Sequence, residues 1–152
     1  MIVNIKKLDD GAIIPTKGSA CAAGLDLYAI TNTGAKMKQI LPGKTEMIGT
    51  GIAVEIPNGF YGAVFARSGL ATKQGLRPAN CVGVIDSDYR GEIIVAIHND
   101  SGKCATIRDG DRIAQLIIMP YPEVRLIEVD ELSSTARGNS GFGSTGHVNF
   151  VP

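Results

Sequence analysis

The segment Gly83-Val84-Ile85-Asp86-Ser87-Asp88-Tyr89-Arg90-Gly91 sets two aspartates and a tyrosine among apolar and small residues. A carboxylate placed this way is able to take a proton from water as a general base, and a tyrosine ring offers a wall for a flat or ring-shaped ligand. The same composition also makes an ordinary turn, in which aspartates bond their own backbone. Ala66-Arg67-Ser68-Gly69-Leu70 brings together a guanidinium, a hydroxyl and a helix start, three kinds of donor that a phosphate accepts. Alone, it reads as a surface arginine beside an N-cap. Gln115 interrupts the apolar run Arg112 to Ile118, where a neutral amide either satisfies a backbone group or contacts an anion without adding charge. Finally, RGNSGFGSTG, from Arg137 to Gly146, holds four glycines, two serines and a threonine. Such a stretch builds no core, so it is either a loose end or a loop that closes on a ligand.

These residues need a scaffold. Short alternating or wholly apolar runs occur at Ile2 to Ile5, Leu25 to Ala29, Ile52 to Ile56, Tyr61 to Phe65, Ile93 to Ile97, Ile113 to Met119 and Val124 to Val129, and each reads as a strand. Turn residues separate them at Leu41-Pro42-Gly43, Pro57-Asn58-Gly59, Asn99 to Gly102 and Asp109-Gly110-Asp111. The pattern predicts an antiparallel all-β sandwich or barrel. Gly83 to Gly91 falls where a β-hairpin tip would lie, between Cys81-Val82 and the apolar run after Glu92. One short helix is expected, capped by Ser68 and stopped by Gly75. At 152 residues and 44% hydrophobic content the chain makes one domain that buries roughly 68–70% of its unfolded surface. The predicted boundary divides a body, residues 1–132, from a flexible glycine-rich arm, residues 133–152.

Composition removes several functions. Fifteen basic and fifteen acidic side chains cancel, which argues against a general nucleic-acid binder and makes any phosphate chemistry local. Cys21, Cys81 and Cys104 are odd in number and lack a CxxC pair, so they suggest neither a disulfide framework nor a zinc site. His98 and His147 are too few for a histidine-rich metal cluster; they read as a strand and a tail residue. The start MIVNIKKLDD shows no signal core and no run approaches the ~18 apolar residues of a membrane span, so a soluble, cytoplasmic protein without membrane partners is expected. Two motif matches fail in context. Gly141 to Gly146 spells GxGxxG but neither follows a strand nor opens a helix, and Gly43-Lys44-Thr45 lacks the earlier glycine of a P-loop, Lys38 standing in its place. The latter reads as a hairpin loop.

Taken in order, five segments resemble the five motifs of the trimeric dUTP pyrophosphatases (dUTPases): Ala23 to Ala29, Ala66 to Ala71, Gly83 to Gly91, Arg112 to Ile118 and Arg137 to Gly146. The resemblance covers nearly the whole chain and departs at Ser140, where many members carry glycine. It implies a distorted jelly-roll homotrimer with shared active sites that hydrolyses dUTP to dUMP and pyrophosphate with Mg²⁺. Asp86 would then be the base for water attack at the α-phosphorus. Asn80 would read uracil with backbone groups of Gly83, Val84 and Ile85, and Tyr89 would pack on deoxyribose. Arg67, Ser68, Gly69 and Gln115 would contact phosphates. Asp26 would hold the magnesium's water shell or neighbouring basic groups without binding metal directly. Arg137, Gly143, Ser144 and Thr145 would wrap the triphosphate while Phe142 stacks on the base, making the arm a lid that reaches a neighbouring subunit.

Two other readings are weaker. The related dCTP deaminases carry a catalytic glutamate on the strand after the third motif, where this chain has Ala96; zinc deaminases need HxE and PCxxC signatures that are absent. A β-rich module that only binds nucleotide has no need of a carboxylate that repels the ligand.

Overall fold

The computed structural model describes residues 1–141. Its strands are short because Gly, Pro and Asx turns interrupt every apolar run. They are β1 (Asn4–Lys7), β2 (Thr16–Lys17), β3 (Leu25–Tyr28), β4 (Met37–Ile40), β5 (Thr45–Gly49), β6 (Ile52–Glu55), β7 (Phe60–Phe65), β8 (Leu76–Pro78), β9 (Val82–Ile85), β10 (Ile94–Asn99), β11 (Ala105–Arg108) and β12 (Arg112–Pro120), with one helix, α1 (Ser68–Gln74). A five-stranded sheet runs β2-β3-β12-β7-β9 and a three-stranded sheet runs β5-β10-β8, while β1 pairs with β6 and β4 with β11. All pairings are antiparallel. Only β2 and β3 are both consecutive and paired, so nearly every connection crosses between sheets. The architecture is a jelly-roll sandwich.

The core lies between these sheets. Leu27, Ile40, Ile48, Ile52, Ile97, Ile113 and Leu116 are buried and share one cluster. Strand β10 shows the period of two directly, with Val95, Ile97 and Asn99 inward and Ile94, Ala96 and His98 outward or half-buried. Asn99 is a buried polar group with its partners supplied: Nδ2 donates to the carbonyls of Ile40 and Lys103, and Oδ1 accepts from the N–H and hydroxyl of Ser101. It fastens β10 to the end of β4.

Several sequence expectations need correction. Val124 to Val129 alternates like a strand but forms none; Val124, Leu126, Ile127 and Val129 are exposed, because alternation makes a strand only where a neighbour offers an edge and a face. Gly83 to Gly91 is not a hairpin tip. Strand β9 pairs with β7, and β10 with β5 and β8, so Asp86 to Gly91 is a crossover between two sheets. Gly43-Lys44 likewise joins strands of different sheets and not a hairpin. Ser68 does not cap α1. Arg67 occupies the N-cap position with extended backbone and no side-chain bond, and Ser68 is the first helical residue. At the other end Gly75 stops the helix as expected, at φ 67°. Strands β2, β4, β5, β8, β9 and β11 were not apparent in the sequence; β4 and β11 are half polar, and β9 lies within the segment read as a hairpin tip. Among the described residues no helix is long and apolar enough to cross a membrane.

The turn between β11 and β12 is tied to the far end of β3 through Asp109, whose Oδ1 accepts from Thr31 Oγ1 at 2.7 Å and Thr31 N–H at 2.8 Å. The Thr31 hydroxyl, then its N–H, hold the Asp109 carboxyl below its ordinary pKa. A depressed folded-state pKa contributes stability that is present above the unfolded value and is lost as pH falls through the folded one. The native chain is therefore expected to melt above Asp109→Asn at neutral pH, with the gap shrinking below about pH 4. Thermal melts of both proteins from pH 7 to pH 2.5 check this.

Candidate active site

Strand β12 lies between β3 and β7, and its register sets Gln115 opposite both Asp26 and Phe65. Two residues beyond Phe65 the chain reaches Arg67 and opens α1. An open cleft of about 550 Å³ lies over this row, lined by Gly24, Asp26, Arg67, Ser68, Gly69, Lys73, Arg112 and Gln115 among others. Three cations therefore face one carboxylate in a chain with no net charge. Such a cleft suits an anion.

Asp26 organises the cations. It is 8% exposed, and its Oδ1 accepts from Arg67 Nε at 2.8 Å while Oδ2 accepts from Arg112 Nη1 at 3.2 Å. Arg67 also donates through Nη1 to the Arg112 carbonyl at 3.4 Å. Each Asp26 oxygen thus accepts one guanidinium hydrogen bond, and no group of three or more His, Cys, Asp or Glu among the described residues is arranged to hold a metal. That donor set fits a hard cation that keeps its waters and is carried by phosphate oxygens.

Gln115 donates from Nε2 to the Ala66 carbonyl at 2.9 Å, fixing the strand end that leads into Arg67. Its other face meets Gly24, where an added Cβ would stand 2.5 Å from Gln115 Oε1 and 3.2 Å from its Cβ. A side chain at position 24 would oblige Gln115 to shift. The N–H groups of a helix's first turn lack intrahelical acceptors, and Ser68 and Gly69 bring theirs to the cleft rim.

The remaining expected residues do not join this cleft. Asp86 is exposed and lines a separate depression of about 310 Å³ with Tyr61, Val84 and Tyr121. Tyr61 and Tyr121 meet edge-on there, with ring centroids 6.4 Å apart. Asn80 lies over β9: a Cβ on Gly83 would be 3.3 Å from its Nδ2. Ile85 ends β9, and Tyr89 bonds the Glu92 carbonyl from Oη at 3.0 Å. Arg137 is exposed, with Nε donating to the Ser140 carbonyl. Phe142, Gly143, Ser144 and Thr145 lie outside the described residues.

Sequence reasoning did not single out Arg112 or Lys73. Residues three apart on a regular strand point to opposite faces, yet a bulge between Arg112 and Ala114 brings Arg112 to the same cleft as Gln115. No sequence pattern announces that bulge. Lys73 lies one turn beyond Gly69, so helical spacing was the available signal.

Gly24→Ala is expected to displace the Gln115 side chain, break its bond to the Ala66 carbonyl and cost about 1 kcal/mol of stability. Denaturant melts of the native chain and the variant check it.

Comparison with known proteins bears on the family and the fold. A dUTPase family model matches residues 10–146. A deoxyuridine 5'-triphosphate nucleotidohydrolase of Nautilia profundicola is 47% identical over 96% of this chain and 99% of its own length. One of Corynebacterium efficiens is 44% identical over 95% of this chain and 77% of its own. Among solved structures, a dUTPase of Staphylococcus bacteriophage 80alpha with dUpNHpp superposes with a TM-score of 0.85 at 29% identity, covering 96% of this chain and 99% of that one. A phage phi11 dUTPase mutant, described with a structural Mg(II) ion, gives 0.76 at 25% identity, covering 86% and 98%. A jelly roll whose central sheet assembles an anion cleft, matched along nearly all its length by these relatives, places the chain in the dUTPase family.

Proposed function

We propose that this chain hydrolyses dUTP to dUMP and pyrophosphate, limiting uracil incorporation into DNA and supplying dUMP for thymidylate synthesis. The observation that carries the reading is the cleft in which Asp26 holds Arg67 and Arg112 beside Ser68 and Gln115, a set of fixed donors suited to a polyphosphate. Asp86 takes the proton of a water that attacks the α-phosphorus. The bond from that phosphorus to the bridging oxygen breaks, and pyrophosphate leaves. An exposed carboxylate with no ion-pair partner among the described residues is suited to this role. Asn80, with the backbone of Gly83, Val84 and Ile85, reads the uracil edge, and Tyr89 stands against the deoxyribose. Arg67, Ser68, Gly69 and Gln115 receive the phosphates. Mg²⁺, when bound with the substrate, neutralises phosphate charge, and Asp26 meets its water shell or acts through the two guanidinium groups.

Asp86 and Arg67 line separate depressions of one subunit, which supports a site completed between copies in a homotrimer. The exposed apolar side chains of Val124, Leu126, Ile127, Val129 and Leu132 also suit a subunit that is covered by its neighbours. Beyond the body, residues 1–132, the arm of residues 133–152 closes over the bound nucleotide. Arg137, Gly143, Ser144 and Thr145 wrap the phosphates and Phe142 covers the base. The enzyme acts in the cytoplasm on free deoxynucleotide.

Pyrophosphate release from dUTP, dCTP, dTTP and UTP with Mg²⁺, compared between native protein and Asp86→Asn, tests the reaction. Rapid conversion of dUTP alone to dUMP is expected, reduced ~10²–10⁴-fold by the substitution. Deamination of dCTP, or nucleotide binding without turnover, would overturn the assignment. A chain truncated after Thr135 is expected to lose about tenfold or more in kcat on dUTP, because positioning and water exclusion both suffer. Unchanged turnover would remove the lid.

A further inference from the structure

Between Ile85, the last residue of β9, and Ile94, the first of β10, the chain passes from one sheet to another carrying Asp86 and Tyr89. The crossover has little internal support. Tyr89 N–H donates to the Asp86 carbonyl at 3.2 Å, and Arg90 Nη1 donates to the carbonyls of Ser87 at 2.6 Å and Tyr89 at 3.0 Å. Beyond an exposed ion pair from Arg90 Nη2 to Glu55 Oε1 of β6 at 3.6 Å, its firm attachment comes at the end, through Glu92. There Oε1 accepts from the N–H groups of Gly51 at 2.7 Å and Thr50 at 3.0 Å, in the turn between β5 and β6. Beside it Thr50 Oγ1 donates to the Ile93 carbonyl at 2.6 Å, and Ile93 N–H donates to the Ile52 carbonyl at 2.9 Å.

The receiving turn is shaped for that carboxylate. An added Cβ at Gly49 would stand 2.6 Å from Glu92 Oε1 and 3.2 Å from the Ile30 carbonyl. Glu92 then passes the constraint back along the chain. Its own carbonyl accepts from Tyr89 Oη at 3.0 Å, and the Tyr89 ring lies against Gly91, where a Cβ would collide with it. Tyr89 in turn holds the Asp86 carbonyl. A hydrogen bond from a backbone N–H to an ionised carboxylate is stronger than one between neutral groups, and here two such donors converge on one oxygen.

We propose that Glu92 is a positioning residue for dUTP hydrolysis: by anchoring the crossover to the Thr50-Gly51 backbone it sets where Tyr89 stands against the sugar and where Asp86 stands against the attacking water. The inference rests on the roles assigned above to Asp86 and Tyr89. Because Glu92 acts through backbone acceptance, an uncharged side chain with the same oxygen serves nearly as well, whereas loss of the oxygen or of its space does not.

The test compares native protein with Glu92→Ala, Glu92→Gln, Gly49→Ala and Asp86→Asn, measuring kcat per folded protein on dUTP and the ratio of kcat/KM for dUTP over UTP. Glu92→Ala and Gly49→Ala, which disturb the same contact from opposite sides, are each expected to lose about tenfold or more in kcat and to discriminate less against UTP. Glu92→Gln is expected to stay within about threefold of native in both, since an amide oxygen still accepts the two N–H groups. If Glu92→Ala and Gly49→Ala keep native kcat per folded protein and native selectivity, whatever their melting temperatures, Glu92 is structural only and the proposal fails. Full activity in Asp86→Asn would instead remove the catalytic reading on which it rests, a result distinguishable from the first.

Discussion

Strand β12 between β3 and β7 is the constraint from which the cationic cleft follows. Hydrogen bonding on both edges places Asp26, Gln115 and Phe65 side by side across three strands, and the chain after Phe65 turns at once into Arg67 and α1. Each partner is remote in sequence, so the cleft exists only once the sheet has closed. Gln115 then locks the arrangement by bonding the Ala66 carbonyl, the hinge between strand and helix. The bulge at Arg112 adds a second guanidinium to a face that regular alternation would have denied it.

Within that frame, Asp26 works as an organiser of positive charge. Burying a carboxylate is costly unless it is paired, and here two guanidinium groups supply the pairing. The carboxylate in turn restrains two long cationic side chains whose like charges would otherwise drive them apart. The cleft keeps an excess of positive charge, with Lys73 added from α1, while its geometry is held before any ligand arrives. Such preorganisation spares the ordering of side chains at the moment of binding.

The segment of Asp86 and Tyr89 is positioned by different means. Asp86 and Tyr89 ride on a crossover between sheets, where no ladder of strand hydrogen bonds constrains them. Their placement depends on a few side-chain contacts at its end, with glycines at the points of closest approach. The body thus holds the cationic cleft by sheet register, and holds the crossover that carries Asp86 and Tyr89 by a local clasp around Glu92.

Much was legible in the sequence. The all-β class, the end of the helix at Gly75, the strand character of Leu25 to Ala29, Tyr61 to Phe65 and Ile113 to Met119, and the family itself followed from local signals, since alternation, turn residues and ordered motifs are properties of neighbours along the chain. Other features were decided by tertiary structure. Val124 to Val129 alternates without finding a strand partner, Asp86 to Gly91 became a crossover because β9 and β10 found partners in different sheets, and Ser68 yielded the cap position to Arg67. Arg112 entered the cleft through a bulge, and Glu92 acquired its acceptor role from a turn some forty residues upstream. Local chemistry determines what each segment is able to form; which edge it pairs with, which face it presents and which distant backbone it touches are set by competition among contacts between residues far apart in sequence, and those contacts exist only in the folded chain.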